Sequence, residues 1–133
     1  MGFIDRLTKA KQSDRNERLE AIEKLNDLNR LAEIAENDPD WIVRKKAVER
    51  IDDESVLVRI AENDSNINIR TFALKRISDE NVLAEIARND SNVSARLCAI
   101  EKISDEDILA EIARNTSNVK IRKKALQKLN SNG

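Results

Sequence analysis

The stretch from Ile86 to Arg96 recurs as Ile34 to Arg44, Ile60 to Arg70 and Ile112 to Arg122, at a constant spacing of 26 residues. Each copy reads as the end of one helix, a tight turn and the start of a second. A unit this short cannot bury its own apolar face, so the copies must stack on one another, as in a solenoid. The expected fold class is all-α: an α-α superhelix built from antiparallel helix pairs. The chain, residues 1–133, reads as one repeat domain. Residues 1–26 make an N-terminal cap with a degraded first repeat, and 27–52, 53–78, 79–104 and 105–130 are the clear copies.

Composition agrees with a helical protein. Charged residues are 37% and apolar ones 40%, with two Gly and one Pro, and the apolar residues recur at helical spacing rather than scattering as in a disordered chain. The formal net charge is −1, which gives no global pull toward nucleic acid or anionic membranes. A single cysteine, Cys98, excludes an internal disulfide and fits a reducing compartment. No run approaches the roughly 18 apolar residues of a membrane span and no signal peptide is visible, so a cytoplasmic, monomeric protein with no membrane partner is expected. Gly2 invites myristoylation, but Arg6 stands where Ser or Thr belongs.

In the N-terminal stretch, Phe3, Ile4, Leu7 and Ala10 would line one side of a short helix over 2–11. It is expected to cover the end of the first repeat; the alternative is a membrane-surface anchor. A separate helix from Arg15 to Leu25 follows, in which Arg18, Ala21, Ile22 and Leu25 keep the frame of Arg44, Ala47, Val48 and Ile51.

In the copy from Ser78 to Ile103, Ser78 is a suitable N-cap, as are its counterparts Asn26, Asp52 and Ser104. Val82, Leu83, Ile86 and Ala87 form the apolar stripe of the first helix. Asn89 is expected to end it in the left-handed conformation that asparagine tolerates, like Asn37, Asn63 and Asn115. In the turn, Pro39 fits either directly after an Asp38 cap or directly before an Asp40 cap. The second helix buries Val93, Ala95, Ala99, Ile100 and Ile103, and its central alanine (Ala47, Ala73, Ala99, Ala125) points to close helix approach. Arg44, Arg70, Arg96 and Arg122 lie between these apolar positions. A buried guanidinium must be paired, and Asp38, Asp64 and Asp90 in the turns are the candidates. Thr116 interrupts that acidic series, so Arg122 is expected to reach a carboxylate of the preceding repeat or a backbone carbonyl.

The pattern Asn37-Asp38-Pro39-Asp40-x-x-Val43-Arg44-x-x-Ala47 resembles HEAT-like repeats. That resemblance implies antiparallel helix pairs in which turn aspartate and second-helix arginine form a structural ladder between units. The unit is shorter than the about 40–47 residues usual there, and it also resembles leucine-rich variant repeats, which alternate α with 3₁₀ helices.

Reaction chemistry has little to stand on. The chain has no His and no Tyr, and its glycines are Gly2 and Gly133. Those absences remove the commonest general base and metal ligand and any Gly-rich phosphate loop. No catalytic residue, cofactor or metal ligand is assigned, and the expected protein is not an enzyme. Charge does segregate: second helices are basic (Arg44, Lys45, Lys46, Arg50; Lys120, Arg122, Lys123, Lys124, Lys128) and first helices acidic. In solenoids of helix pairs the second helices line the concave side. The expected function is a non-enzymatic scaffold that binds a protein or peptide, acidic in character, along that face. The alternatives are nucleic-acid backbone binding through the basic second helices and an accessory role like that of lyase-type HEAT proteins. With 2% aromatics, base stacking has no platform and nucleic acid is the weaker reading. The candidate partner-binding residues are Phe72, Leu97 and Cys98, apolar where other copies carry lysine, flanked by Lys46 and Lys124. Their other possible fate is burial against neighbouring helices.

Overall fold

A computed structural model describes the backbone from Phe3 to Asn132 and the side chains from Asp14 to Ser131. Gly2, and the side chains of Phe3, Ile4, Leu7 and Ala10, lie outside the described residues. Among those described, the chain is all-helical: α1 (Phe3–Lys24), α2 (Leu28–Asn37), α3 (Trp41–Glu49), α4 (Glu54–Asn63), α5 (Ile67–Leu74), α6 (Glu80–Asn89), α7 (Val93–Glu101), α8 (Glu106–Asn115) and α9 (Val119–Asn132). None is long and apolar enough to cross a membrane.

The helices fall into two compact units, 1–53 and 54–133. In the first, α3 packs on both α1 and α2. Ile22, Leu31, Ala35, Val43, Ala47, Val48 and Ile51 form its core, each at most 2% exposed. In the second unit the antiparallel pairs α4–α5, α6–α7 and α8–α9 each close on themselves. Successive pairs then stack through α5 on α7, α7 on α9 and α6 on α8, as in a helical solenoid. Ala73, Ala99 and Ala125 are fully buried there; a methyl group at the centre of each second helix lets the facing helix come close.

Three local expectations are corrected. First, residues 3–24 form one continuous helix rather than two; Lys11-Gln12-Ser13 contains neither Gly nor Pro to break it. Second, the N-caps are Asp27, Asp79 and Asp105, whose carboxylates accept from backbone N–H groups two and three residues on. Ser78 and Ser104 precede the caps and donate their own N–H groups elsewhere. Third, among the described residues no non-glycine residue has positive φ. Asn37, Asn89 and Asn115 are the last helical residues, and the chain leaves each helix through an extended residue, Asp38, Asp90 or Thr116. That exit is held by the side chain itself: Asp38 Oδ1 accepts from Asp40 N (2.9 Å) and Asp90 Oδ1 from Asn92 N (2.8 Å). Such an Asx turn makes a left-handed residue unnecessary. Pro39 stands before the Asp40 cap.

Candidate partner-binding face

The helices are held by three sets of side-chain contacts that repeat with the sequence. The first runs through the repeated arginine. Arg70 Nε donates to Ala61 O (3.3 Å), at the end of its own first helix, and Nη2 pairs with the Asp90 carboxylate in the turn of the next pair. Arg96 follows the same path, Nε to Ala87 O (2.8 Å) and Nη2 to Thr116 Oγ1 (3.3 Å). In the first unit Arg18 reaches Asp38 through Nε (2.9 Å) and Nη2 (3.2 Å), while Arg44 Nη1 donates to Asp38 O (2.9 Å). Asp38, Asp90 and Thr116 therefore have two duties, holding their own turn and receiving a guanidinium from a helix 20 residues back, α1, α5 or α7. Thr116 Oγ1 performs both, since it also accepts from Asn118 N (3.1 Å). Arg122 turns to backbone carbonyls, Ala113 O (3.1 Å) and Thr116 O. Arg44 is buried, Arg70 and Arg96 half-buried and Arg122 exposed.

The second set caps helix ends. Lys102 Nζ donates to the carbonyls of Leu74, Lys75 and Ile77, Lys128 Nζ to Glu101 O (2.8 Å), and Arg50 Nη1 to Ile22 O and Leu25 O. The last carbonyls of a helix lack intrahelical donors and carry partial negative charge, so a cation from the next second helix suits them. The third set caps helix starts: Glu54 Oε1 accepts from Ser78 N (2.7 Å) and Asp79 N (2.9 Å), and Glu80 Oε1 from Ser104 N (2.8 Å) and Asp105 N (3.0 Å).

With the helices so fixed, the candidate residues can be placed. Phe72 on α5 and Leu97 and Cys98 on α7 are half-buried, whereas their neighbours Ala73, Leu74, Ala99 and Ile100 are at most 1% exposed. Their helices pack together in the second unit, and exposed Lys75 and Lys123 belong to the same set of second helices. The Arg76 guanidinium lies 5.9 Å above the Phe72 ring. Burial pushes the Cys98 thiol up from its ordinary pKa, an effect that Lys75 and Lys102 partly offset and Glu101 reinforces. Lys124 is ion-paired to Glu101 at 2.5 Å. That hydrogen bond, opposed by burial and aided by the charges of Lys124 and Lys128, holds the Glu101 carboxyl below its usual value.

Lys46 belongs to the first unit, where it lies 3.6 Å from Glu23 and 3.9 Å from Glu49. The candidate set is thus divided between the two units.

The residue missed in the sequence is Trp41. It is 46% exposed and lines an open groove of about 390 Å³ with Leu19, Ile42, Lys45 and Lys46 on α1 and α3. Its register position carries Ile67, Val93 and Val119 in other copies; a tryptophan in that row was the available signal. Nearby, Asp40 is raised by burial but more strongly lowered by Arg15 at 2.5 Å, by the Ile42 N–H and by the charges of Arg15 and Arg18, so its carboxyl titrates below the ordinary value. Among the described residues, no group of three or more His, Cys, Asp or Glu is placed to hold a metal ion. What the face offers is contact area and charge. No protein-family model, curated protein or solved structure matches this chain.

Proposed function

We propose that this protein is a non-catalytic scaffold of the HEAT-like kind that binds a protein or peptide along the exposed side of its second helices. The observation that carries this reading is the half-exposure of Phe72, Leu97 and Cys98 beside fully buried neighbours. Apolar groups left at the surface of a packed helix row, with exposed Lys75 and Lys123 on the same row, suit a partner segment with an apolar anchor between acidic residues. Apolar patches rimmed by polar groups are common interaction sites, and aromatic anchors tend to dominate binding energy. A monomer in a reducing, cytoplasmic setting goes with this reading, the single cysteine being half-buried.

The test uses a labelled peptide library in which one Leu, Phe or Trp is flanked by Glu, with the double variant Phe72→Ser, Leu97→Ser as control. Binding that the wild type shows and the double variant loses, at nearly unchanged thermal stability, supports the site. A stability loss of several kcal/mol, the scale of core truncation, would make these residues core and overturn it, as would failure of every library member to bind.

A further inference from the structure

We propose that the groove between α1 and α3 in the first unit is an anchor site for an extended partner segment in which one large apolar side chain stands two residues from a carboxylate. The proposal rests on the peptide-binding reading above for its class of partner, and it adds a site that the Phe72–Leu97 patch does not include.

The first observation is the placing of apolar residues. α5, α7 and α9 begin Ile67-Asn68, Val93-Ser94 and Val119-Lys120, a β-branched residue and then an exposed polar one. α3 begins Trp41-Ile42 instead. Both positions carry a larger apolar group, and the core does not use them: the buried apolar residues of α3 are Val43, Ala47 and Val48, while Trp41 is 46% exposed and Ile42 half-buried. Half-buried Leu19 of α1 lines the same groove, and its register counterparts on α3 and α9 are Lys45 and Lys123. Apolar groups thus gather at the mouth of one groove, at positions that are small or polar elsewhere.

The platform is also fixed. Asp40 Oδ1 accepts from Ile42 N (2.9 Å), and Asp40 Oδ2 accepts from Arg15 Nε of α1 (2.5 Å). The helix start that carries Trp41 is therefore tied to α1, so docking on the indole orders little that is not already held.

Charge identifies the occupant. Lys45 lies one turn beyond Trp41 on the same helix face. It lines the groove, is exposed, and among the described residues makes no ion pair. Lys46 lies 3.6 Å from Glu23 and 3.9 Å from Glu49, too far for hydrogen bonds, whereas the register-equivalent pair Lys124–Glu101 closes to 2.5 Å. The two glutamates balance Lys46, so the cation left over is Lys45, and it calls for one carboxylate. Residues one helical turn apart have Cβ atoms about 5–6 Å apart. Side chains two residues apart on an extended chain share a side at about 7 Å, which matches the step from Trp41 to Lys45. At about 390 Å³ the groove seats one large side chain rather than the several anchors of an amphipathic helix.

The chain has one Trp and no Tyr, so tryptophan emission of the full chain reports on this groove. The probes are two acetylated and amidated pentapeptides, Ser-Leu-Ser-Glu-Ser and Ser-Glu-Ser-Leu-Ser, one for each chain direction. One of them is expected to shift the emission to the blue saturably and to shield the indole from acrylamide. Lys45→Glu should weaken that binding about fivefold or more, as an exposed attraction becomes a repulsion, with the thermal midpoint unchanged because the site is exposed. Lys120→Glu should leave the binding as it is, and serine in place of the peptide's leucine should abolish it. No shift with either probe at millimolar concentration, or a shift indifferent to Lys45→Glu, would overturn the proposal. Emission that moves with protein concentration alone would give the groove to a second copy of this chain and overturn it too. A fluorescein-labelled probe that binds by anisotropy without moving the tryptophan emission would overturn this site and leave the Phe72–Leu97 reading standing.

Discussion

The repeated arginine is one residue type in four environments, and its energetic weight should follow the environment rather than the sequence. Arg70 and Asp90 are 14% and 6% exposed at the side chain, so removing the guanidinium strands a nearly buried carboxylate. Arg70→Ala should cost roughly 3–5 kcal/mol by urea denaturation, the range for breaking a buried pair. Lys75→Ala, on the exposed side of the same row, should cost about 0.5 kcal/mol or less. Equal losses would mean that the Arg70–Asp90 pair is effectively solvated. Cys98 gives a second residue-level expectation. Because burial raises its pKa in the folded state, folding favours the protonated thiol. That contribution to stability is present below the unfolded thiol pKa and is lost as pH rises through the folded one. At pH 8 a disulfide reagent should therefore label native Cys98 several-fold more slowly than the urea-unfolded chain, since only the thiolate reacts. Equal rates would contradict the shielding.

At the scale of the element, the helices are legible because their signals are local, and the contacts between them are not. Four alanines in frame mark the central crossings, and Ala47, Ala73, Ala99 and Ala125 are all fully buried. The arginine's reach is different. Its rung spans 20 residues forward, Arg70 to Asp90 and Arg96 to Thr116, and nothing in one copy's spacing distinguishes its own turn from the next. The asparagine at a first-helix end reads as a left-handed cap, yet at Asp38 and Asp90 the following residue performs the exit through its side chain, and among the described residues no non-glycine φ is positive. The glutamates at the starts of α4 and α6 are acceptors for the neighbouring helix start, a role that nothing in the spacing of one copy shows. This last point is testable. Glu80→Ala removes the acceptor for Ser104 N and Asp105 N and should cost about 1 kcal/mol. Glu80→Gln keeps an oxygen in the same place and should recover most of that loss. If both variants lose the same amount, the negative charge on α6 matters and the two hydrogen bonds do not.

For the molecule as a whole, the decisive quantity is how many second-helix cations are left over once packing has used its share. The basic character of these helices looks suited to phosphates in the bare sequence. In the fold, Arg50, Lys102 and Lys128 are turned onto helix-end carbonyls, Arg70 and Arg96 onto turn acceptors, and Lys46 and Lys124 onto glutamates. Arg122 is exposed but turned onto the Ala113 and Thr116 carbonyls, which leaves the exposed Lys45, Lys75, Lys120 and Lys123, in a chain whose net charge is −1. Phosphate binding draws its affinity from the counterions that free cations displace, and log K falls with log salt by about 0.9 per neutralised phosphate on duplex DNA. A protein that spends its arginines on its own backbone has few cations to offer. Titration with a labelled 20-base-pair duplex should show no binding at 150 mM salt, and at 50 mM salt only weak binding with a slope corresponding to no more than about four phosphates. A slope near that of six or more contacts would show that the internal pairs open to meet the nucleic acid, and would replace the proposed peptide surface on the second-helix face with a phosphate-binding one.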